Sequence, residues 1–333
     1  MKKLIYSWVI LFVFITIAHS DNIKPDIVRI GYIALLPQLP LIISYENDRL
    51  NFKHIQVEPI KFKSFTSIEA AIRVGAIHAA AIPIPIILSI ASDMAECKIC
   101  DINIMGAIQK GGTLFVAKES LSIKDLQGKV IGVPGFDSIE TFSLIHIMKN
   151  NDFTFGLDYK AIGITFDSAL KDLKTDKLQA LYLPEPWGSI AEKEENAVSI
   201  EDETFSIQQP TTLLVISKEK LTQNPKAIKE WVESVFNACL FIENDIQSGA
   251  RQTAIIQNKY FNFPNDLVAE SLSNRKGRID FTPFIPDLDY IKSIMTKATE
   301  IKLIMKSVEF DKILDTTIMA DLIARKKSAL PEN

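Results

Sequence analysis

Ile77-His78-Ala79-Ala80-Ala81-Ile82-Pro83-Ile84-Pro85 and Leu178-Gln179-Ala180-Leu181-Tyr182-Leu183-Pro184-Glu185-Pro186 are one pattern written twice, 101 residues apart. Each is a short β-rich run that stops at a proline, whose missing N–H ends a sheet ladder. The same offset carries Phe65-Thr66-Ser67 onto Phe166-Asp167-Ser168, Ile72 onto Leu173 and Gly31 onto Gly132. Apolar residues align easily by chance, but paired glycines, phenylalanines, serines and a Pro-x-Pro in one ungapped frame do not. The chain therefore holds two copies of one structural unit.

Working outward, each copy opens on a strand around its glycine, Val28-Arg29-Ile30-Gly31-Tyr32 or Lys129-Val130-Ile131-Gly132-Val133. A second strand, Ile55 to Phe62 or Lys160 to Phe166, leads to a Ser/Thr/Asp cluster suited to cap a helix. The helix that follows puts Ile68, Ala71 and Ile72 on one face, or Ala169, Leu170 and Leu173 in the second copy. Gly75 ends the first helix and Asp176-Lys177 the second. Strands alternating with helices predict a parallel sheet, and ligands on such sheets bind beyond the strand C-termini. Both Pro-x-Pro segments are expected as loops lining a crevice.

The glycines and strand of Gly111 to Ala117 lie between the copies and are expected as a first crossing between lobes; the second is expected at Gln209 to Ser217. The resulting division is two α/β lobes joined by a two-segment hinge, with 26–112 plus 217–333 as the first lobe and 113–216 as the second. Asn224-Pro225 caps a helix whose stripe includes Ile228, Trp231, Val235 and Cys239, so Trp231 and Cys239 read as core. Further helices are predicted over Pro286 to Met305 and Asp311 to Arg325.

At 333 residues and 47% hydrophobic, the chain can bury a core in each of two lobes. A net charge of −4 without a basic block argues against a nucleic-acid partner. Lys2 and Lys3, an apolar run from Leu4 to Ile17 and then Ala18-His19-Ser20 predict a signal peptide over residues 1–20, cleaved after Ser20. The run is shorter than the roughly 20 residues that span a bilayer. No cysteine follows it, so a periplasmic protein without a lipid anchor is expected. Cys97-Lys98-Ile99-Cys100 has no second CxxC or nearby histidine to complete a metal shell, and reads as a structural pair or local disulfide. His19, His54, His78 and His146 show no metal spacing; His78 reads as a core histidine, and no metal or cofactor is expected.

Val28 to Tyr32, the stretch Ser67 to Pro85, Leu126-Gln127-Gly128-Lys129-Val130-Ile131-Gly132-Val133-Pro134 and Leu183-Pro184-Glu185-Pro186-Trp187 together resemble the nitrate/sulfonate/bicarbonate-type solute-binding proteins of ABC transporters, the NMT1/THI5-like family. The similarity extends to Phe310-Asp311 through Ile323. It implies a class II periplasmic-binding fold, a small-molecule ligand, a permease and its ATPase as partners, and a monomeric receptor without catalysis. His78 departs from the Asp that many relatives carry at this step.

Helix N-termini offer unpaired N–H groups and a positive dipole end, which suit an oxyanion. Caps are expected at Thr66-Ser67 and at Asp137-Ser138, with Thr141 one turn in. Trp187 offers a stacking surface, and Glu185 in a crevice would repel an anion unless paired. The expected ligand-binding set is Leu36, Thr66, Ser67, Pro83, Pro85, Gly112, Thr113, Asp137, Ser138, Thr141, Glu185 and Trp187. Lys110 and the Arg275-Lys276-Gly277-Arg278 run are candidate positive partners. The competing readings are an enzyme on the same fold, desulfinase-like or acting on pyrimidine precursors, and a sensor that binds without transport.

Overall fold

The computed structural model describes residues 26–94, 97, 101–200, 210, 212–273 and 279–329. The expected signal peptide, Cys100 and the Arg275 to Arg278 run lie outside the described residues.

The chain builds two five-stranded sheets. The first holds β1 (Asp26–Tyr32), β2 (Ile55–Lys61), β3 (Ala79–Ile82), β4 (Ile102–Ala107) and β11 (Leu213–Ser217), in the order β2-β1-β3-β11-β4. The second holds β6 (Thr113–Ala117), β7 (Val130–Val133), β8 (Lys160–Gly163), β9 (Ala180–Pro184) and β10 (Val198–Ser199), in the order β8-β7-β9-β6-β10. The two orders are the same topology. In each, three parallel strands are followed by one antiparallel strand that arrives from the other sheet. A two-stranded ribbon of β5 (Lys110–Gly111) and β12 (Ile279–Asp280) lies beside the first crossing.

The duplication is visible in the register itself. Ile30 and Gly31 pair with Ala79 and Ala80, while Ile131 and Gly132 pair with Ala180 and Leu181, at the 101-residue offset on both strands. Val28 lies opposite Val57, but Val130 lies opposite Lys160, so the second copy has one more residue between its first two strands. Gly31 is required because a Cβ there would stand 2.5 Å from Ile77 Cδ1. At Gly132 it would stand 2.6 Å from Leu181 Cδ2 and 3.0 Å from Leu178 Cδ1.

Helices follow the strands: α1 (Leu39–Asp48), α2 (Phe65–Arg73) and α3 (Ile84–Ser92) in the first copy, α4 (Ile139–Asn150), α5 (Phe166–Lys174) and α6 (Trp187–Glu194) in the second. α2 and α5 match residue for residue. Gly75 and Asp176 both take positive φ just past them, at 68° and 59°, a conformation that Asp tolerates better than most residues. The second strands end earlier than predicted, at Lys61 and Gly163, and Phe166 opens a helix instead of closing a strand.

The C-terminal part adds α7 (Lys218–Gln223), α8 (Pro225–Gln247), α9 (Arg251–Asn258), α10 (Asn265–Ser273), α11 (Leu288–Glu300) and α12 (Thr317–Ala329). Asn224 caps α8 by accepting from the Ala227 N–H at 3.1 Å, and Trp231 and Cys239 are fully buried in its stripe. α11 is shorter than the predicted Pro286–Met305. The segment predicted as a helix from Asp311 is a short turn over Phe310–Lys312, followed by α12. β11, expected within the second crossing, pairs inside the first sheet between β3 and β4.

Apolar side chains fill both faces of each sheet. Ala79 and Ala81 of β3 face one cluster with α1 and α8; Ala80 and Ile82 face another with α2, α3 and α11. In the second sheet Phe115 and Tyr182 face α4, whereas Leu114, Leu181 and Leu183 face α5 and α6. Among the described residues no helix is long and apolar enough to cross a membrane. Cys97 is disulfide-bonded and Cys239 is free.

Candidate functional site

In strand-then-helix units every helix starts at the C-terminal tip of its strand. The tips of β1 and β3 in one lobe and of β7 and β9 in the other are joined directly. The Leu36 N–H donates to the Glu185 carbonyl at 2.9 Å, and the Glu185 N–H donates to the Gly112 carbonyl at 2.8 Å. Thr66 Oγ1 donates to Asp137 Oδ2 at 3.2 Å. Ile139 and Phe142 of α4 share an apolar cluster with Ile82, Ile84 and Ile87 of the first lobe. The lobes are closed on each other.

Local chemistry fixes each side chain. Ser138 caps α4, its Oγ accepting from the Thr141 N–H at 3.2 Å, and Thr141 Oγ1 donates to the Gly135 carbonyl at 2.7 Å. The cap of α2 is Ser64, not Thr66-Ser67 as expected: Ser64 Oγ accepts from the Ser67 N–H at 3.2 Å, which occupies that donor. Thr66 and Ser67 lie exposed in the first turn. Pro83 and Pro85 do not form a loop. Pro83 is the N-cap of α3 and Pro85 lies within its first turn, where a missing N–H costs nothing. Likewise Pro184 ends β9 and Pro186 caps α6.

Glu185 is 1% exposed. Its carboxylate accepts from the Ser189 N–H at 3.0 Å and from the Ser189 hydroxyl at 2.9 Å, closing the first turn of α6. The expected repulsion of an anion is thus removed by hydrogen bonds to a helix start. Trp187 stacks on Phe166 at 5.1 Å and meets Phe263 edge-on at 5.9 Å, so it bridges the second lobe to the α9–α10 turn. Gly112 takes φ +86°, and a Cβ there would stand 3.0 Å from Ile279 and 3.2 Å from Pro37. The Lys110 ammonium lies 4.5 Å from the centre of the Phe284 ring.

The sequence reading missed four groups. Gln38 is fully buried at the start of α1; its Nε2 donates to the Ala81 carbonyl at 3.1 Å, and its Oε1 has no partner. A lone polar residue inside the apolar run from Ile33 to Ile43 was the available signal. Glu140 is 5% exposed in the first turn of α4. Burial pushes its carboxyl up to about 7, against hydrogen bonds from its own N–H and the Ser138 hydroxyl, with Asp137 adding to the rise. Tyr182, 3.5 Å from Thr113 Oγ1, is pushed to about 12 by burial, and Tyr290 of α11 is raised as well. Among the described residues no three or more His, Cys, Asp or Glu side chains are placed to hold a metal ion.

Two duplicated α/β lobes that meet at their strand tips define the periplasmic binding-protein fold. The NMT1-like family pattern matches residues 21–256, and the chain belongs to that family. No curated protein sequence matches. The structure is similar to the ligand-binding component of an ABC-type import system from Staphylococcus aureus with zinc bound, at TM-score 0.75 and 15% identity over 89% of this chain and 99% of that one. It is similar to the periplasmic nitrate-binding protein NrtA from Synechocystis PCC 6803, at TM-score 0.74 and 14% identity over 91% and 89%. The periplasmic aliphatic sulphonate binding protein SsuA from Escherichia coli gives 0.72 and 15% over 87% and 97%.

Proposed function

We propose that this chain is an extracytoplasmic receptor that captures a small polar solute between its lobes and delivers it to an ABC importer. The solute class is an oxyanion such as nitrate, a sulfonate or bicarbonate, or a small amine- or pyrimidine-type molecule. The observation that carries this reading is the meeting of the two sets of strand tips, joined by Leu36 to Glu185 and Thr66 to Asp137. Residues 26–112 and 213–329 form one jaw and 113–200 the other, with solute contacts at Leu36, Thr66, Gly112, Thr113, Asp137 and Ser138. Closure is a population shift: a solute favours the closed form through contacts with both jaws at once. Residues 1–20 act as a signal peptide, and the receptor works as a monomer that meets its permease and ATPase at the membrane.

Against a cysteine nucleophile stands the state of the two described cysteines. Cys239 lies in the core with its thiol raised far out of the reactive range by burial, and Cys97 is in a disulfide. The test is a thermal-shift screen of the purified protein with nitrate, bicarbonate, methanesulfonate, taurine and pyrimidines. Stoichiometric stabilisation with the solute recovered unchanged is the expected result. A chemically altered solute would establish an enzyme instead.

A further inference from the structure

A cavity of about 600 Å³ opens at the end of the first sheet opposite the strand tips. Asp26 and Arg29 of β1, His78 just before β3, Ser217 at the end of β11 and Lys220 of α7 line it. β11 runs antiparallel to β3, and the Ser217 N–H donates to the His78 carbonyl at 2.7 Å, so these residues share one end of the sheet. At about 3.3 Å per residue, β1 places Asp26 roughly 20 Å from the tip of its own strand. The cavity is therefore separate from the proposed solute contacts.

Its wall carries more donors than acceptors at one place. Arg29 Nε donates to the Ala76 carbonyl at 2.6 Å and Nη2 to the Gly75 carbonyl at 3.3 Å, which fixes the guanidinium under the end of α2. The same Nη2 stands 3.0 Å from His78 Nε2, and the Arg29 backbone N–H stands 3.1 Å from His78 Nδ1. A neutral imidazole accepts at one nitrogen and donates at the other. Whichever nitrogen carries the proton, one Arg29 N–H meets a ring N–H, and an acceptor is missing between them. Lys220 Nζ is held by Asp26 Oδ1 at 2.7 Å, but among the described residues no carboxylate pairs with the Arg29 guanidinium.

We propose that this cavity binds a small carboxylate, whose oxygens accept from the Arg29 guanidinium and the His78 ring while its apolar end lies against Ile27, Ile72 and Ile77. With the ring proton on Nε2, Nδ1 keeps the Arg29 backbone N–H, and one ligand oxygen takes both facing donors. A charged acceptor forms stronger hydrogen bonds to a guanidinium than a neutral one, and the arginine fork matches the spacing of carboxylate oxygens. Asp26 and Glu219 also line the cavity, which favours a single negative charge over a phosphate dianion. The volume lies in the range of small-molecule sites. This site goes beyond the receptor reading and does not depend on it.

The test is titration of the full chain with butyrate at neutral pH, read by calorimetry and by the ring-nitrogen resonances of its histidines. Butyrate is expected to bind and to move the His78 resonances while those of His54 and His146 stay in place. Butyramide, which has the same shape without the charge, is expected to leave all three unmoved. A bound carboxylate also opposes the influences that lower the His78 ring to about 4, burial first and then Arg29 and Lys220, so the ring is expected to titrate at higher pH with butyrate present. Arg29→Gln is expected to weaken butyrate binding about tenfold or more, the loss of a charge-assisted hydrogen bond. Should that variant fail to fold, because Arg29 also holds the end of α2, the wild-type resonances decide. Butyrate that leaves His78 unmoved, butyramide that moves it equally, or inorganic phosphate that binds there more tightly than butyrate overturns the proposal.

Discussion

Gly31 and Gly132 stand at equivalent points of the two sheets, each where a methyl group would strike an isoleucine or leucine side chain. Gly31→Ala and Gly132→Ala are each expected to cost about 1–3 kcal/mol, the usual range for forcing extra volume into a packed interior. Denaturant unfolding of each single variant checks this. His78 makes a second residue-scale prediction. Burial, helped by Arg29, lowers it from 6.5 to about 4, with the Arg29 N–H donating to its Nδ1 at 3.1 Å. The folded state therefore prefers the neutral ring. Its contribution is complete above about pH 6.5 and is lost as pH falls from there toward 4. His78→Gln is expected to make unfolding stability less steep across that window, measured by urea titration at several pH values.

The hinge and the helix starts decide how the elements work together. Gly112 combines φ +86° with close approach to Pro37 and Ile279, and its carbonyl receives the Glu185 N–H. A left-handed conformation costs a non-glycine residue roughly 1–2 kcal/mol, so Gly112→Ala is expected to weaken solute affinity by about tenfold. Small-angle scattering should show the variant more open without solute. Trp187→Ala removes the link between Phe166 and Phe263 and is expected to lower stability by about 2–4 kcal/mol, below the full range for a deeply buried tryptophan. Thermal unfolding measures it. The repeat made β1, β3, α2, α5 and β9 readable from spacing because glycines and prolines are punctuation that side-chain chemistry enforces. Phe166 misled the strand assignment, since an apolar residue after a strand reads as more strand until a helix claims it. β11 was unreadable in another sense: its apolar run was clear, but nothing local says which sheet it joins. Ser138 was legible as a cap from its neighbours, whereas nothing in the sequence marked Glu140, because burial in the first turn of a helix is made by packing and not by local pattern.

At the scale of the molecule, closure depends on contacts few in number and spread across the gap. Lys193 and Glu270, 3.4 Å apart between α6 and α10, are both about half exposed and add little by themselves. The larger connection is the apolar seating of Ile139 and Phe142 against the first lobe. Solute addition is expected to shift the scattering profile toward the compact form and to raise the melting temperature with solute concentration. The exchanged strands have a further effect, on the order in which the protein can be made. β4 borders its sheet through β11 alone, and β11 is supplied only after the whole second lobe has been threaded. A chain still emerging from a ribosome or a translocation channel thus carries an unfinished first lobe, with an apolar strand awaiting its neighbour. The first sheet is therefore complete only once nearly two thirds of the chain has been made.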